Sequence, residues 1–397
     1  MDAPLVVKLP PEGTLLRDFV LASLNFLREE SHIDLEWLGD EVRINASSRR
    51  LETAFRSLYE VSAKLAENKA KRIRLAGILP NDRGILSELL NVKKDGIPST
   101  YLDAIAAFLK KSYKNVTFSS LNKLERRANG IKLGDGSFSA LNFLVTEKYE
   151  HGLEFERLNL KLKFNIELDK AWYSLVLAGF VWCISTRLDE DILFSCFPED
   201  FILLERINAR MFSAIRRAFG GLSSLGEKIN GLFYEAGSIG EPFPATVLLI
   251  SLRLSKAARD SGSLDILRSE DISSLPLSLC RLRRTQRVFI TVDKRRVELC
   301  KALKFSSNLA MKSKSDKSVN ELEGICKRTI QLASNRFKPR PNEPDFTVYN
   351  RFTTLLLQAI EQAYSVYEVV YYGSRYGLLS RALGEDIIEA ISVSTLS

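Results

Sequence analysis

Histidine is almost missing from this chain, and its scarcity excludes a good deal of chemistry. The 397 residues hold only His32 and His151. They lie far apart in sequence and neither has an HxxxH or HxxE companion. A histidine-based metal site or acid–base dyad is therefore not expected, and both residues read as structural. No GxxxxGK[ST] loop is present to cradle a nucleotide, and no GxSxG elbow to carry a nucleophilic serine. The five cysteines, Cys183, Cys196, Cys280, Cys300 and Cys326, are odd in number and form no CxxC pair. They read as reduced thiols of a cytoplasmic protein, packed as small hydrophobes. Glutamine occurs four times, at Gln286, Gln331, Gln358 and Gln362, while Lys, Arg and Glu abound, a bias typical of thermophilic proteins. Long hydrophobic runs are absent too. The longest, Ala171 to Ser185, is too short to cross a bilayer and reads as a buried core helix. The start, MDAPLVVKLPPEG, lacks the basic-then-apolar pattern of a secretory signal. No membrane contact and no cofactor are expected.

What is present is a folded, basic chain. It is 45% hydrophobic and 27% charged, with a formal net charge of +8, a balance that by itself suits a phosphate-rich partner or an anionic membrane surface, the first being the one expected here. The surplus is uneven. Lysine stops at Lys338, and the remainder is mildly acidic.

The positive charge is densest from Arg281 to Lys304, RLRRTQRVFITVDKRRVELCKALK, where only Asp293 and Glu298 oppose it. Alternation predicts a strand over Arg281 to Val292. Arg281, Arg283, Thr285, Arg287 and Thr291 share one face with Phe289; Leu282, Val288, Ile290 and Val292 share the other. A helix is predicted from Lys294 to Ala310, carrying Arg295 and Arg296. Its Leu299, Cys300 and Leu303 lie opposite Lys294, Lys301 and Lys304. Each element can bury an apolar side and offer bases to a nucleic-acid backbone. Aromatic residues are sparse here, so base stacking on this segment is not expected. A second basic region holds Lys110, Lys111, Lys114, Lys123, Arg126, Arg127 and Lys132.

The fold class reads as α+β, with a mixed α/β domain over 1–240 and a mainly helical domain over 241–397. Strand Leu5–Leu9, helix Leu15–Arg28, a hairpin around Gly39-Asp40 and helix Ser48–Glu67 begin the chain like half of a ferredoxin-type unit. Further strands are predicted over Arg72–Ile78 and Leu158–Leu168, and helices over Ile97–Tyr113 and Phe201–Phe219. Glycines from Gly220 to Gly240 read as a loop-rich boundary. Helices follow over Ala245–Ser261, Ser318–Phe337 and Phe346–Tyr372, the last with a bundle seam through Tyr349, Phe352, Leu356, Ala359, Ala363, Val366 and Val370.

Two other readings stay open. Glu167, Asp169 and Lys170 follow a strand as the metal-binding carboxylates and lysine of a nuclease do. The C-terminal seam would suit a scaffold that binds only protein.

The stretch GDGSFSALNFLVTEKYEHGLEF, Gly134 to Phe155, with its GDGS turn and the pair Tyr149 and Gly152, resembles the large subunit of archaeal type I-A CRISPR interference (Cascade) complexes. The resemblance implies a non-catalytic DNA- and RNA-binding subunit in antiviral defense. Such a subunit helps to sense the motif beside the target and to hold opened DNA, while guide pairing reads the sequence. It implies as partners guide RNA, target DNA, backbone subunits, a small helical subunit and a helicase–nuclease. No motif-reading residue carries over by position.

Overall fold

The computed structural model describes all residues except 1–3, 74–76, 128–129, 147–164, 189–190, 205–208, 237–242, 269–271, 287, 313–315, 334–337, 342 and 396–397. The chain is α+β and forms two compact units: residues 1–203 with 278–295, and residues 204–277 with 296–397.

The first unit opens with β1 (Leu5–Lys8), α1 (Leu15–Glu30), β2 (Asp34–Trp37), β3 (Glu41–Asn45) and α2 (Ser48–Arg72). The strands form an antiparallel sheet of order β1-β3-β2, as the half-ferredoxin pattern requires. Helix α3 (Pro80–Leu90) and α4 (Tyr101–Ser112) follow; α3 escapes a reading based on apolar spacing. A second sheet, order β4-β5-β7-β6, joins β4 (Leu124–Arg127), β5 (Gly130–Leu133), β6 (Phe138–Ser139) and β7 (Asn165–Leu168), with β5 and β7 parallel. Only the last four residues of the strand predicted over Leu158–Leu168 are among those described.

The run predicted as a core helix is α5 (Lys170–Cys183), buried along nearly its whole length. It crosses α1 at Gly179, where a Cβ would lie 1.7 Å from the Phe19 carbonyl oxygen. Ser23 Oγ donates to the Leu175 carbonyl at 2.7 Å across the same contact. At the far end of α5, the buried Lys69 ammonium donates to the carbonyls of Val181 (2.9 Å) and Ile184 (2.8 Å). A cation is favoured there because the last carbonyls of a helix carry partial negative charge.

The third sheet, order β11-β10-β9-β8, comprises β8 (Ile184–Leu188), β9 (Asp191–Cys196), β10 (Pro276–Arg284) and β11 (Phe289–Glu298). This corrects the basic segment in two ways. The strand predicted over Arg281–Val292 breaks into a hairpin. Its turn is closed by Thr285, whose backbone N–H and Oγ1 both donate to the Val288 carbonyl, at 2.8 and 3.0 Å. And Lys294–Glu298 is strand, not helix: β11 runs beside β10 and buries Phe289 and Val297 near its two ends, and sheet pairing outweighs the helical preference of the KRR run. Because the turn restarts the alternation, Phe289 faces the core beside Tyr101 and Phe143 rather than the arginine side. Helix α6 (Glu199–Leu203) ends the first stretch of this unit.

The second unit is helical: α7 (Ala209–Phe219), α8 (Leu222–Ala236), α9 (Phe243–Asp260), α10 (Leu264–Arg268), α11 (Cys300–Lys312), α12 (Lys317–Ala333), α13 (Phe346–Ile360), α14 (Val366–Arg375) and α15 (Arg381–Thr395). Its core is built from Leu248, Leu252, Phe305, Leu309, Leu322, Cys326, Phe352, Leu356, Leu383 and Ile387. Two helix predictions and one loop prediction need correction. Phe201–Phe219 is not continuous, since α6 ends at Leu203 and α7 starts at Ala209. The supposed glycine-rich loop is largely α8, which buries Leu222, Leu225, Ile229 and Phe233 at helical spacing; that stripe outweighs the propensity cost of Gly226 and Gly231. Phe346–Tyr372 is two helices, broken where Gln362 takes a positive φ of 65°.

Among the described residues no helix is long and apolar enough to cross a membrane.

Candidate nucleic-acid interface

In the first unit the cations of the β10–β11 hairpin are organised around one carboxylate. Arg283 lies opposite Asp191 in the β9–β10 register. Its Nε donates to Oδ1 at 2.7 Å and an Nη donates to Oδ2 at 3.0 Å, a forked pair. Arg281, two residues earlier on the same face, places its Nε 3.4 Å from Oδ2. Asp191 is only 10% exposed, whereas the side chains of Arg281 and Arg283 are 27% and 48% exposed. The guanidinium groups are thus anchored from below and open to solvent above. Arg284 is half-buried, with no carboxylate at ion-pair distance among the described residues. Burial and the neighbouring Asp82 push the Tyr101 phenol up, and Arg284 partly offsets this. Lys294 donates to the Gly13 carbonyl at 2.9 Å and lies 3.7 Å from Asp18, and Arg295 pairs with Asp293 at 2.6 Å. Arg287 lies outside the described residues.

In the second unit Arg296 and Lys301 are exposed and Lys304 is half-buried. Lys301 and Lys304 have no counter-ion among the described residues. Glu298, the last residue of β11, is occupied as a cap: it accepts from Ser274 Oγ at 2.7 Å and from the Cys300 N–H at 3.0 Å.

The second basic region, in the first unit, is spread over several elements. Lys110 pairs with Glu67, and Lys111 donates to the Leu90 carbonyl. Lys123 pairs with Asp135 at 2.8 Å, Arg126 with Asp40 at 3.1 Å, and Arg127 with Glu125 at 3.2 Å and Glu167 at 3.5 Å. Lys114 is exposed, with no counter-ion among the described residues, and Lys132 is half-buried in β5. Water and salt screen these exposed pairs, so a phosphate can replace the carboxylate at small cost.

The GDGS turn has a structural explanation. Gly134 and Gly136 take φ of +67° and +58°, and a Cβ on Gly134 would lie 1.9 Å from Asp169 Oδ2. Asp169 accepts the Asp135 N–H at 3.1 Å and caps α5 by accepting the Trp172 N–H at 3.0 Å. It ties the turn to the first turn of the helix. Its oxygens are committed to backbone, and Glu167 is held by Asn165 and Arg127, so Glu167, Asp169 and Lys170 do not converge as metal ligands. Among the described residues no three of His, Cys, Asp and Glu are grouped to hold a metal. Tyr149, His151 and Gly152 lie outside the described residues.

Asp191 is the residue the sequence reading missed. It was visible in the run Asp189-Glu190-Asp191, but its partners lie about ninety residues away, joined only by the sheet register. No family model, no curated protein and no solved structure matches the chain.

Proposed function

We propose that the protein binds nucleic acid through its phosphate backbone and carries no catalytic chemistry of its own. The β10–β11 hairpin carries this reading: its strands hold six described cations, Arg281, Arg283, Arg284, Lys294, Arg295 and Arg296, against two acids of their own, Asp293 and Glu298. The excess is positive, and it sits on a strand pair stiffened by a sheet. Arginine suits this task because its planar fork bonds two phosphate oxygens at once. Within the second unit, Lys301 and Lys304 offer point charges of their own. Nothing in this set reads base edges, so the binding is indifferent to sequence by itself.

The resemblance at Gly134–Phe155 supplies the setting: the large subunit of a type I-A CRISPR surveillance complex, where guide pairing selects the target and this subunit holds the opened DNA. Its partners in that setting are guide RNA, target DNA and the other subunits of the complex.

The test is the salt dependence of binding. Arg284→Ala, Arg295→Ala and Lys301→Ala together leave the Arg283–Asp191 pair intact. The triple variant should weaken binding to all DNA sequences alike and lower the slope of log K against log salt by up to about 0.9 per lost contact. An unchanged slope removes these residues from the interface.

A further inference from the structure

Half of the tyrosines, six of twelve, fall in the last part of the chain: Tyr349, Tyr364, Tyr367, Tyr371, Tyr372 and Tyr376. Helix α14, which carries three of them, fully buries only Val369 and Gly373. On its outer side Tyr367 is 70% and Tyr371 67% exposed, the largest exposures among the described large hydrophobic side chains. They are four residues apart, one turn on the same face, with a rise of about 6 Å between them. That rise is roughly twice the 3.4 Å advance per base of a stacked strand. At the end of the helix Tyr372 and Tyr376 pack with centroids 4.8 Å apart. The Arg351 guanidinium lies 5.9 Å over the Tyr372 ring and that of Arg375 5.8 Å over the Tyr376 ring. Neither arginine has a carboxylate partner among the described residues. Glu368 accepts a hydrogen bond from the Tyr364 hydroxyl.

Rigid rings left in water, with arginines resting on ring faces instead of in ion pairs, form a surface suited to flat, electron-rich partners. We propose that α14 is a stacking platform for unpaired nucleobases of a single strand. The platform rests on the nucleic-acid reading above and supplies what the basic hairpin lacks. Arg351 and Arg375 lie over ring faces and acids outnumber bases beyond Lys338, so the platform holds bases rather than phosphates. Its contribution is therefore independent of salt.

The test uses the full chain and two labelled single strands of equal length, oligothymidine and an oligomer of abasic sites, followed by fluorescence anisotropy. Tyr367→Ala with Tyr371→Ala should weaken oligothymidine binding about 10- to 100-fold, as loss of stacked bases does. The salt slope should stay unchanged. Tyr367→Phe with Tyr371→Phe, which keeps the rings, should bind as the native chain does, and the abasic oligomer should not distinguish any of the three. Native affinity of the alanine variant for oligothymidine overturns the proposal, and so does an equal loss on the abasic oligomer. Should the alanine variant keep its strand affinity and instead lose a protein partner, the face is a protein-docking surface and the proposal falls. If the native chain binds both oligomers equally and the triple cation variant weakens both, only the platform fails. If the native chain binds neither oligomer, the nucleic-acid reading fails and the platform with it.

Discussion

Replacing Asp191 by asparagine should lower the stability of the first unit and strengthen its binding to DNA. The carboxylate accepts two hydrogen bonds from Arg283, at 2.7 and 3.0 Å, and an ion-pair contact from Arg281 at 3.4 Å. Hydrogen bonds to charged groups contribute about 1.5–3 kcal/mol each. Both guanidinium groups keep part of their hydration, so roughly half of that survives per bond. Asparagine retains one carbonyl acceptor, which leaves a loss of about 2 kcal/mol. All three tryptophans, Trp37, Trp172 and Trp182, lie in the first unit. Their fluorescence in urea therefore reports that unit separately, and with a slope of about 3 kcal/mol/M the midpoint should fall by roughly 0.7 M. Binding moves the other way. Two arginines lose the charge that neutralises them, and the salt slope should steepen by up to about 0.9 for each phosphate newly engaged. An unchanged midpoint would mean the carboxylate does not hold the hairpin. A fall in both stability and affinity would mean that Asp191 presents the arginines to DNA and does not compete for them, and the argument from competition would fail.

Three further outcomes follow from the packing. Gly179→Ala sets a methyl group against the Phe19 carbonyl at the α1–α5 crossing, and backbone on both sides leaves little room to yield. A loss of about 3 kcal/mol or more is expected in the tryptophan-monitored unfolding. Glu343 is held by a fork from Arg328, both bonds 2.7 Å, and by the Arg340 N–H; mainly the Arg328 hydrogen bonds lower its pKa to about 2. A lowered carboxylate pKa stabilises the fold above the unfolded value and loses that effect as pH falls through the folded one. Glu343→Gln should thus be less stable than the native chain at neutral pH, and the difference should close between about pH 4.5 and 2; a gap that persists at pH 2 would place its cause outside this ionisation. Gly134→Ala meets both a positive φ and the Asp169 carboxylate, so it should destabilise by about 2 kcal/mol or more, while Asp135→Ala, which keeps the backbone N–H bonded to Asp169 and loses only the solvent-screened Lys123 pair, should leave the unfolding midpoint unchanged.

What the sequence discloses here is local, and what it hides is pairing across distance. Thr14, Thr100 and Asp345 sit at the starts of helices and each caps the one it precedes. The Gly39-Asp40 turn fixes the register of β2 on β3. These are decided within four residues of themselves, so spacing and turn chemistry reveal them. Lys294–Glu298 is different. Its charges read as helix, yet its conformation is decided by β10, so only the sheet can reveal it. The glycines of α8 mislead for the related reason that its buried stripe pays off only against other helices.

The same distinction separates two kinds of positive charge. Lys110, Lys123, Arg126 and Arg127 form exposed pairs with carboxylates that water and salt screen, so their field is available to a polyanion at almost no cost. Arg281 and Arg283 are tied to a nearly buried acid, so their charge is partly spent inside the fold while their orientation is fixed. A count of basic residues treats the two sets alike. Their responses should differ: removing the first set should lower affinity chiefly at low salt, where long-range attraction dominates, whereas removing Arg283 should cost fold stability and binding together because it strands Asp191 without its strongest partner. Equal behaviour of Arg126→Ala and Arg283→Ala in both measurements would show that the anchoring carboxylate gives the hairpin no special standing.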